Sequence, residues 1–283
     1  MEVNNNKKYK NGTLKTLQQV EQIIKDLKIK KDIQIKQFEE LFEKTSQEIT
    51  TSWDVGRKYS RTLFMQKAFE DDFPEKYLNF SLAIDVMINI LDDFFDEDLN
   101  EQRRKIYVIE FLRNFSFYSK KNPNEEIKEL AGNYMIKLIT LAFCEHDFED
   151  EIKKSSDLKE IIDLSFSLLK TRSMDIDIFA EIALIENQEN KEEIKSAARL
   201  FRSLNILKKD LIDIPYDKKN GIETAVTVVE KKDIPLQKYV KYLVSKIFEE
   251  VDWNRDSESR PLSNFYKMME DEEDEIIKLS NLL

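Results

Sequence analysis

Apolar residues recur at helical spacing along most of the chain. Leu14, Leu17, Val20 and Ile24 fall on one face and predict a helix over 14–27, and a second pattern runs from Ile33 to about Ile49. A break follows at Trp53-Asp54-Val55-Gly56. From Phe80 to Leu91 the chain carries Leu82, Ile84, Val86, Met87, Ile88 and Ile90 without Gly or Pro, which predicts a mostly buried helix ending abruptly in acids. Further helices are expected over 104–117, 126–143, 157–169, 176–185 and 191–213, and from about 259 onward. Lys120-Lys121-Asn122-Pro123-Asn124 marks a turn, and Pro215 is expected to end the 191–213 helix. Residues 1–12 are polar and lysine-rich, and are expected to be disordered.

Composition sharpens this picture. Four glycines and five prolines in 283 residues argue against sheets joined by tight turns, and 41% hydrophobic residues supply ample core. The economical reading is all-α, with 13–283 as a single-domain helical bundle. A formal net charge of -11 argues against non-specific binding to nucleic acid, which needs a basic excess. Cys144 is the only cysteine, so no intrachain disulfide forms, which fits a reducing compartment. The first residues lack a signal-peptide pattern, and no apolar run reaches about 18 residues. A cytoplasmic protein without a transmembrane segment is expected.

The chemistry centres on Asp92-Asp93-Phe94-Phe95-Asp96-Glu97. On a helix Asp92 and Asp96 share a face, as do Asp93 and Glu97, and like charges at that spacing repel unless a cation neutralises them. Oxygen ligands with little His or Cys nearby favour Mg²⁺. The alternative is a solvated acidic helix end. A cationic cluster at Arg57-Lys58-Tyr59-Ser60-Arg61 places Lys58 and Arg61 on one face, either as a phosphate clamp or paired with nearby acids. Arg103-Arg104 suit a polyanion or a solvated loop, and Lys170 either snorkels to water or binds an anion. Asp210 and Asp213 make a second acidic pair at i, i+3. The single histidine, His146, lies among acids and reads as a surface residue, since no second His exists for a metal site or a catalytic dyad.

Taken in order, these elements resemble the trans-prenyltransferases of the polyprenyl diphosphate synthase family, over about 56–224. Gly56-Arg57-Lys58-Tyr59-Ser60-Arg61 is similar to the family's Gly-Gly-Lys-x-x-Arg element, and Asp92 to Glu97 to its first aspartate-rich motif. Arg103-Arg104 resemble the arginine pair after that motif, and Lys170-Thr171 the Lys-Thr pair. Lys209-Asp210-Leu211-Ile212-Asp213 is similar to the second aspartate-rich motif, and Gly221-Ile222-Glu223-Thr224 to the Gly-Lys-x-Thr element. The resemblance implies an isoprenoid-synthase bundle with a central cavity, Mg²⁺ on Asp92, Asp96, Asp210 and Asp213, and a homodimer. It implies isopentenyl diphosphate on Lys58, Arg61 and Arg104, and an allylic prenyl diphosphate near Arg103, Lys170 and Thr171. Asp92, Asp96, Lys170 and Asp210 would be catalytic, assisting ionisation of the allylic diphosphate before head-to-tail condensation. Met87 and Ile88, neither aromatic, stand where the family sets product length, which points to C20 or longer.

The chain departs from the family pattern in four places. Lys209 replaces the first Asp of the second motif, which should lower metal affinity, and the Gln that usually precedes that motif is absent. Asp85 stands where a Gln or His usually contacts isopentenyl diphosphate, and would repel it unless protonated or paired. The segment 214–220 is a much shortened lid. Two alternatives therefore accompany the synthase: a weak or inactive paralogue acting as partner subunit or prenyl-diphosphate binder, and a terpene cyclase or squalene/phytoene-type condensing enzyme.

Overall fold

Helix formation follows the apolar periodicity, and no β-strand occurs among the described residues: the protein is all-α. The computed structural model describes residues 59–96, 106–108, 111, 125–186, 189–253 and 255–283, with the backbone alone for 92–96 and for several positions within 126–146. The α-helices are α1 (Ser60–Phe69), α2 (Leu78–Asp96), α3 (Glu125–Lys154), α4 (Leu158–Arg172), α5 (Asp177–Ala183), α6 (Lys191–Asn220), α7 (Ala225–Lys231), α8 (Leu236–Glu249) and α9 (Arg260–Ser280). The helices expected over 14–27 and 33–49, and the disordered start expected over 1–12, lie outside the described residues. None of the described helices is long and apolar enough to cross a membrane.

Two compact units divide the chain, the first comprising Met1–Leu63 with Lys76–Pro123 and the second Phe64–Glu75 with Asn124–Leu283. In the first unit Val86 and Ile90 of α2 pack with Ile106 and Tyr107, against the partly buried Tyr59 and Phe111. The same helix carries a buried polar seam, Ser81, Asp85 and Asn89, one turn apart and at most 4% exposed.

In the second unit α6 is the central element, packed against α9, α4, α5, α7 and α8. Its buried face follows the helical period through Ile194, Ala197, Phe201, Leu204, Leu207, Leu211 and Ile214. The ring of Phe201 meets Phe64 edge-on at 5.0 Å and Phe265 of α9 at 6.3 Å. Caps set the other boundaries. The Asp157 carboxylate accepts the Glu160 N–H at 3.2 Å to start α4, and Thr224 and Thr227 form a capping box at α7.

Two boundaries differ from the sequence expectation. Helix α3 runs on to Lys154, past the expected end near residue 143, so the acids from Glu145 to Glu151 are helical. Pro215 does not end α6, which continues to Asn220. Proline removes one hydrogen bond to the Leu211 carbonyl, but it leaves the apolar face intact. Leu211 and Ile214 stay buried while the proline ring itself is exposed, so packing carries the helix past the defect until Gly221 stops it. Gly221 adopts φ 70°, the left-handed conformation of a helix terminator, and its N–H and that of Ile222 both donate to the Asp217 carbonyl.

Candidate functional site

The acidic positions fall on two helices, one in each unit. Asp92 and Asp96 occupy the last turns of α2, where the described structure is backbone only, and Asp210 and Asp213 lie in the C-terminal half of α6. Lys58, Arg103 and Arg104 lie outside the described residues, as does the side chain of His146.

Arg61 is internal. Only 5% exposed, it donates from Nη1 to Asp85 Oδ1 at 3.0 Å and to Asn89 Oδ1 at 3.2 Å. Asp85 Oδ2 accepts the Thr62 N–H at 2.9 Å, and the Thr62 and Ser81 hydroxyls share a hydrogen bond of 2.9 Å. The polar seam of α2 is thus matched group for group by the start of α1. Burial pushes the Asp85 carboxyl above the usual aspartate range, while the Arg61 guanidinium and the Thr62 N–H pull the other way. The acid that looked hostile to a diphosphate is therefore paired within the fold.

Lys170 and Arg172 point to different partners. Two residues apart, they project from roughly opposite sides of α4. The half-exposed Lys170 ammonium donates to Glu250 Oε2 at 2.9 Å and sits 5.1 Å from the Phe166 ring. Arg172 instead reaches α6, donating from Nη1 to Asp210 Oδ2 at 2.7 Å and lying 3.8 Å from Glu145. Asp210 is 8% exposed. Lys209, the cation adjacent in sequence, is exposed, so the counter-charge to Asp210 comes from α4. Thr171 is half-buried on the same turn.

Asp217, one turn beyond Asp213, shares the acidic face of α6. It is 5% exposed, and its Oδ2 is buried without a hydrogen-bond partner. Burial first, then Asp213 and Asp210, push its carboxyl above the usual range; Lys209 and the Thr224 hydroxyl pull the other way. Pro215 reads as a stop signal in the sequence and hides Asp217 behind it, although the i+4 and i+7 spacing from Asp213 and Asp210 is legible there. A further contact not legible in the sequence is Glu272, which is buried although it lies in the acidic run of α9. It accepts from Asn205 and Lys208 of α6, both at 3.2 Å, while Lys208 also pairs with Glu275. Burial lowers the Lys208 pKa, but its hydrogen bonds to these two glutamates outweigh it and raise the pKa overall.

Among the described residues no group of three His, Cys, Asp or Glu side chains is arranged to hold a metal ion. The donors on α6 nevertheless fit a hard divalent cation. They are carboxylate oxygens alone, and one of them, Asp217 Oδ2, is buried and lacks any donor. No protein-family model, no curated protein and no solved structure matches the chain.

Proposed function

We propose that the protein is a Mg²⁺-dependent prenyl diphosphate synthase, condensing isopentenyl diphosphate head-to-tail with an allylic diphosphate. The order of motifs in the sequence is the basis of this reading. The observation that carries it furthest is the acidic face of α6, where Asp210, Asp213 and Asp217 stand on successive turns with Arg172 on the first of them and a bare buried oxygen on the last. Such a face is electrostatically unfavourable by itself and favourable around a divalent cation that also binds a diphosphate.

Mg²⁺ would be held by carboxylates among Asp92, Asp96, Asp210 and Asp213, and when bound it would stabilise the leaving pyrophosphate. Arg103, Lys170 and Thr171 would bind the allylic diphosphate, and Lys58, Arg61 and Arg104 isopentenyl diphosphate. Lys170 would have to exchange Glu250 for phosphate, a small cost for a half-exposed pair. Arg61 would have to leave Asp85, a large cost in the interior. The isopentenyl diphosphate subsite therefore leans on Lys58 and Arg104, with Arg61 as structural support.

A second reading is favoured by those same internal pairs. With Arg61 and Asp210 both neutralised by the chain's own residues, a weak or inactive paralogue, assembling with a catalytic subunit or carrying prenyl diphosphates, also fits. Incubation of the purified protein with isopentenyl diphosphate, each allylic primer and Mg²⁺ separates them, with the Asp92→Ala, Asp96→Ala variant as blank. Linear elongated diphosphates that vanish in the blank support the synthase, and no turnover with any primer sinks it as a stand-alone enzyme. Release of pyrophosphate from the primer alone, with hydrocarbon or alcohol products, moves the assignment to a cyclase. Elution as a homodimer in size-exclusion chromatography with light scattering is expected.

A further inference from the structure

We propose that the divalent-cation site on α6 is formed by Asp213 and Asp217, one turn beyond the pair that the motif resemblance names, with Asp210 withdrawn from it by Arg172. This deepens the reading above and rests on it for the cation's role in binding diphosphate. The placement itself comes from the side chains of the second unit alone.

Asp210 already has its counter-charge. Its Oδ2 accepts a 2.7 Å hydrogen bond from Arg172, and recruiting it to a metal would break a largely buried ion pair. Asp217 is in the reverse condition. It is equally buried, its Oδ2 has no donor, and two further carboxylates lie on the same helix face. An acid so placed is destabilising unless protonated or neutralised.

Two of the cations around it are committed elsewhere. Asp217 opens on a cleft of about 320 Å³ that Lys218, Gly221, Thr227, Glu230 and Lys231 also line. Lys218 donates to Glu230 Oε1 at 2.8 Å, and Lys231 donates to Glu223 at 2.6 Å. Neither of these ion pairs involves Asp217, and the exposed Lys209 and the Thr224 hydroxyl only partly offset its burial and the two neighbouring aspartates.

The position of Asp217 is also well defined. Its carbonyl accepts the N–H groups of both Gly221 and Ile222, which locks the last turn of α6 in place. A carboxylate with an unpartnered oxygen, beside a second carboxylate one turn away, matches the way Mg²⁺ binds through one or two carboxylates while keeping several waters. Mn²⁺ has the same preference for oxygen donors and serves as a spectroscopic probe.

The test uses the full chain carrying Asp92→Ala and Asp96→Ala, so that the first acidic motif does not contribute. Mn²⁺ is titrated and the free ion is read by electron paramagnetic resonance, alongside thermal melting with and without Mg²⁺. The expected result is one Mn²⁺ site whose affinity falls at least about tenfold on adding Asp217→Asn or Asp213→Asn and holds on adding Asp210→Asn. Mg²⁺ should raise the melting temperature of the parent and not that of the Asp217→Asn variant. Without metal, Asp217→Asn should melt higher than its parent, which guards against reading misfolding as lost binding. Binding that survives Asp217→Asn, binding lost with Asp210→Asn, or no Mn²⁺ site in the parent would each overturn the proposal. Absence of prenyl transfer by the wild type with this Mn²⁺ site intact would instead count against the proposed activity and leave the site standing.

Discussion

Arg172 Nη1 stands 2.7 Å from Asp210 Oδ2 and ties the end of α4 to α6, while Lys170, two residues earlier, turns the other way to Glu250. The two cations of one short stretch therefore have unequal weight. Replacing Arg172 by Ala leaves a mostly buried carboxylate without its donor, and should cost about 2–3 kcal/mol of stability. Lys170→Ala breaks a half-exposed pair and should cost under about 1 kcal/mol. Urea denaturation of both variants checks the contrast, and equal losses would refute it.

The Arg61–Asp85 pair makes a sharper prediction. Both partners are almost wholly buried. Arg61→Ala should therefore cost about 3–5 kcal/mol, since Asp85 would be stranded. The double variant Arg61→Met, Asp85→Leu should recover much of that loss. A double-mutant cycle by chemical denaturation measures the coupling; an Arg61→Ala variant as stable as wild type would show that Arg61 is free to serve a ligand.

Stability should respond to acid through Glu181 of α5. Burial pushes its carboxyl up, but hydrogen bonds from Lys191 and Lys195 of α6 outweigh this and hold its pKa below the usual 4.5. A carboxylate held low in the folded state contributes its stability above the unfolded value, and that contribution disappears as pH falls through the folded one. Glu181→Gln should therefore cost about 1 kcal/mol at pH 7. Below pH 4.5 its deficit against wild type should shrink as acidification removes the same interaction from both. Melting temperatures at a series of pH values show whether the two curves converge.

Gly221 offers a backbone test. With φ at 70° and no heavy atom beyond its chain neighbours within 4 Å of where a Cβ would stand, conformational strain is what opposes a side chain there. Gly221→Ala should cost about 1 kcal/mol and Gly221→Asn less, because Asn tolerates the left-handed region. Thermal melting that ranks Ala at or above Asn would contradict this.

The all-α class and most described helices were legible because apolar periodicity and scarce glycine carry that information locally. The extension of α6 was not, because Pro215 is a local signal and the packing of Leu211 and Ile214 that overrides it is tertiary. The partners of charged residues were the least legible. Lys170 and Arg172 are nearly adjacent in sequence, and only the helix geometry separates Glu250 from Asp210 as their destinations. Asp85 looked like a fault in a diphosphate site until Arg61, 24 residues away, supplied its charge. Glu272 sits within a run of acids whose composition says solvent, and the cations and amides of α6 draw it inward.

The hydrogen bond from Asn264 Nδ2 to the Ala68 carbonyl, 2.9 Å long, joins residues 196 positions apart. The same stack carries Phe64 on Phe201 and Phe201 on Phe265, so the 64–75 segment is seated only when both α6 and α9 exist. During translation that early segment emerges with nowhere to dock, and the 76–123 stretch of the other unit is made while it waits. At about 5–20 residues per second the delay is roughly 10–40 s on the ribosome, with Phe64, Met65 and Phe69 open to misassociation throughout. Closure of the second unit thus has to wait until α9 has been made.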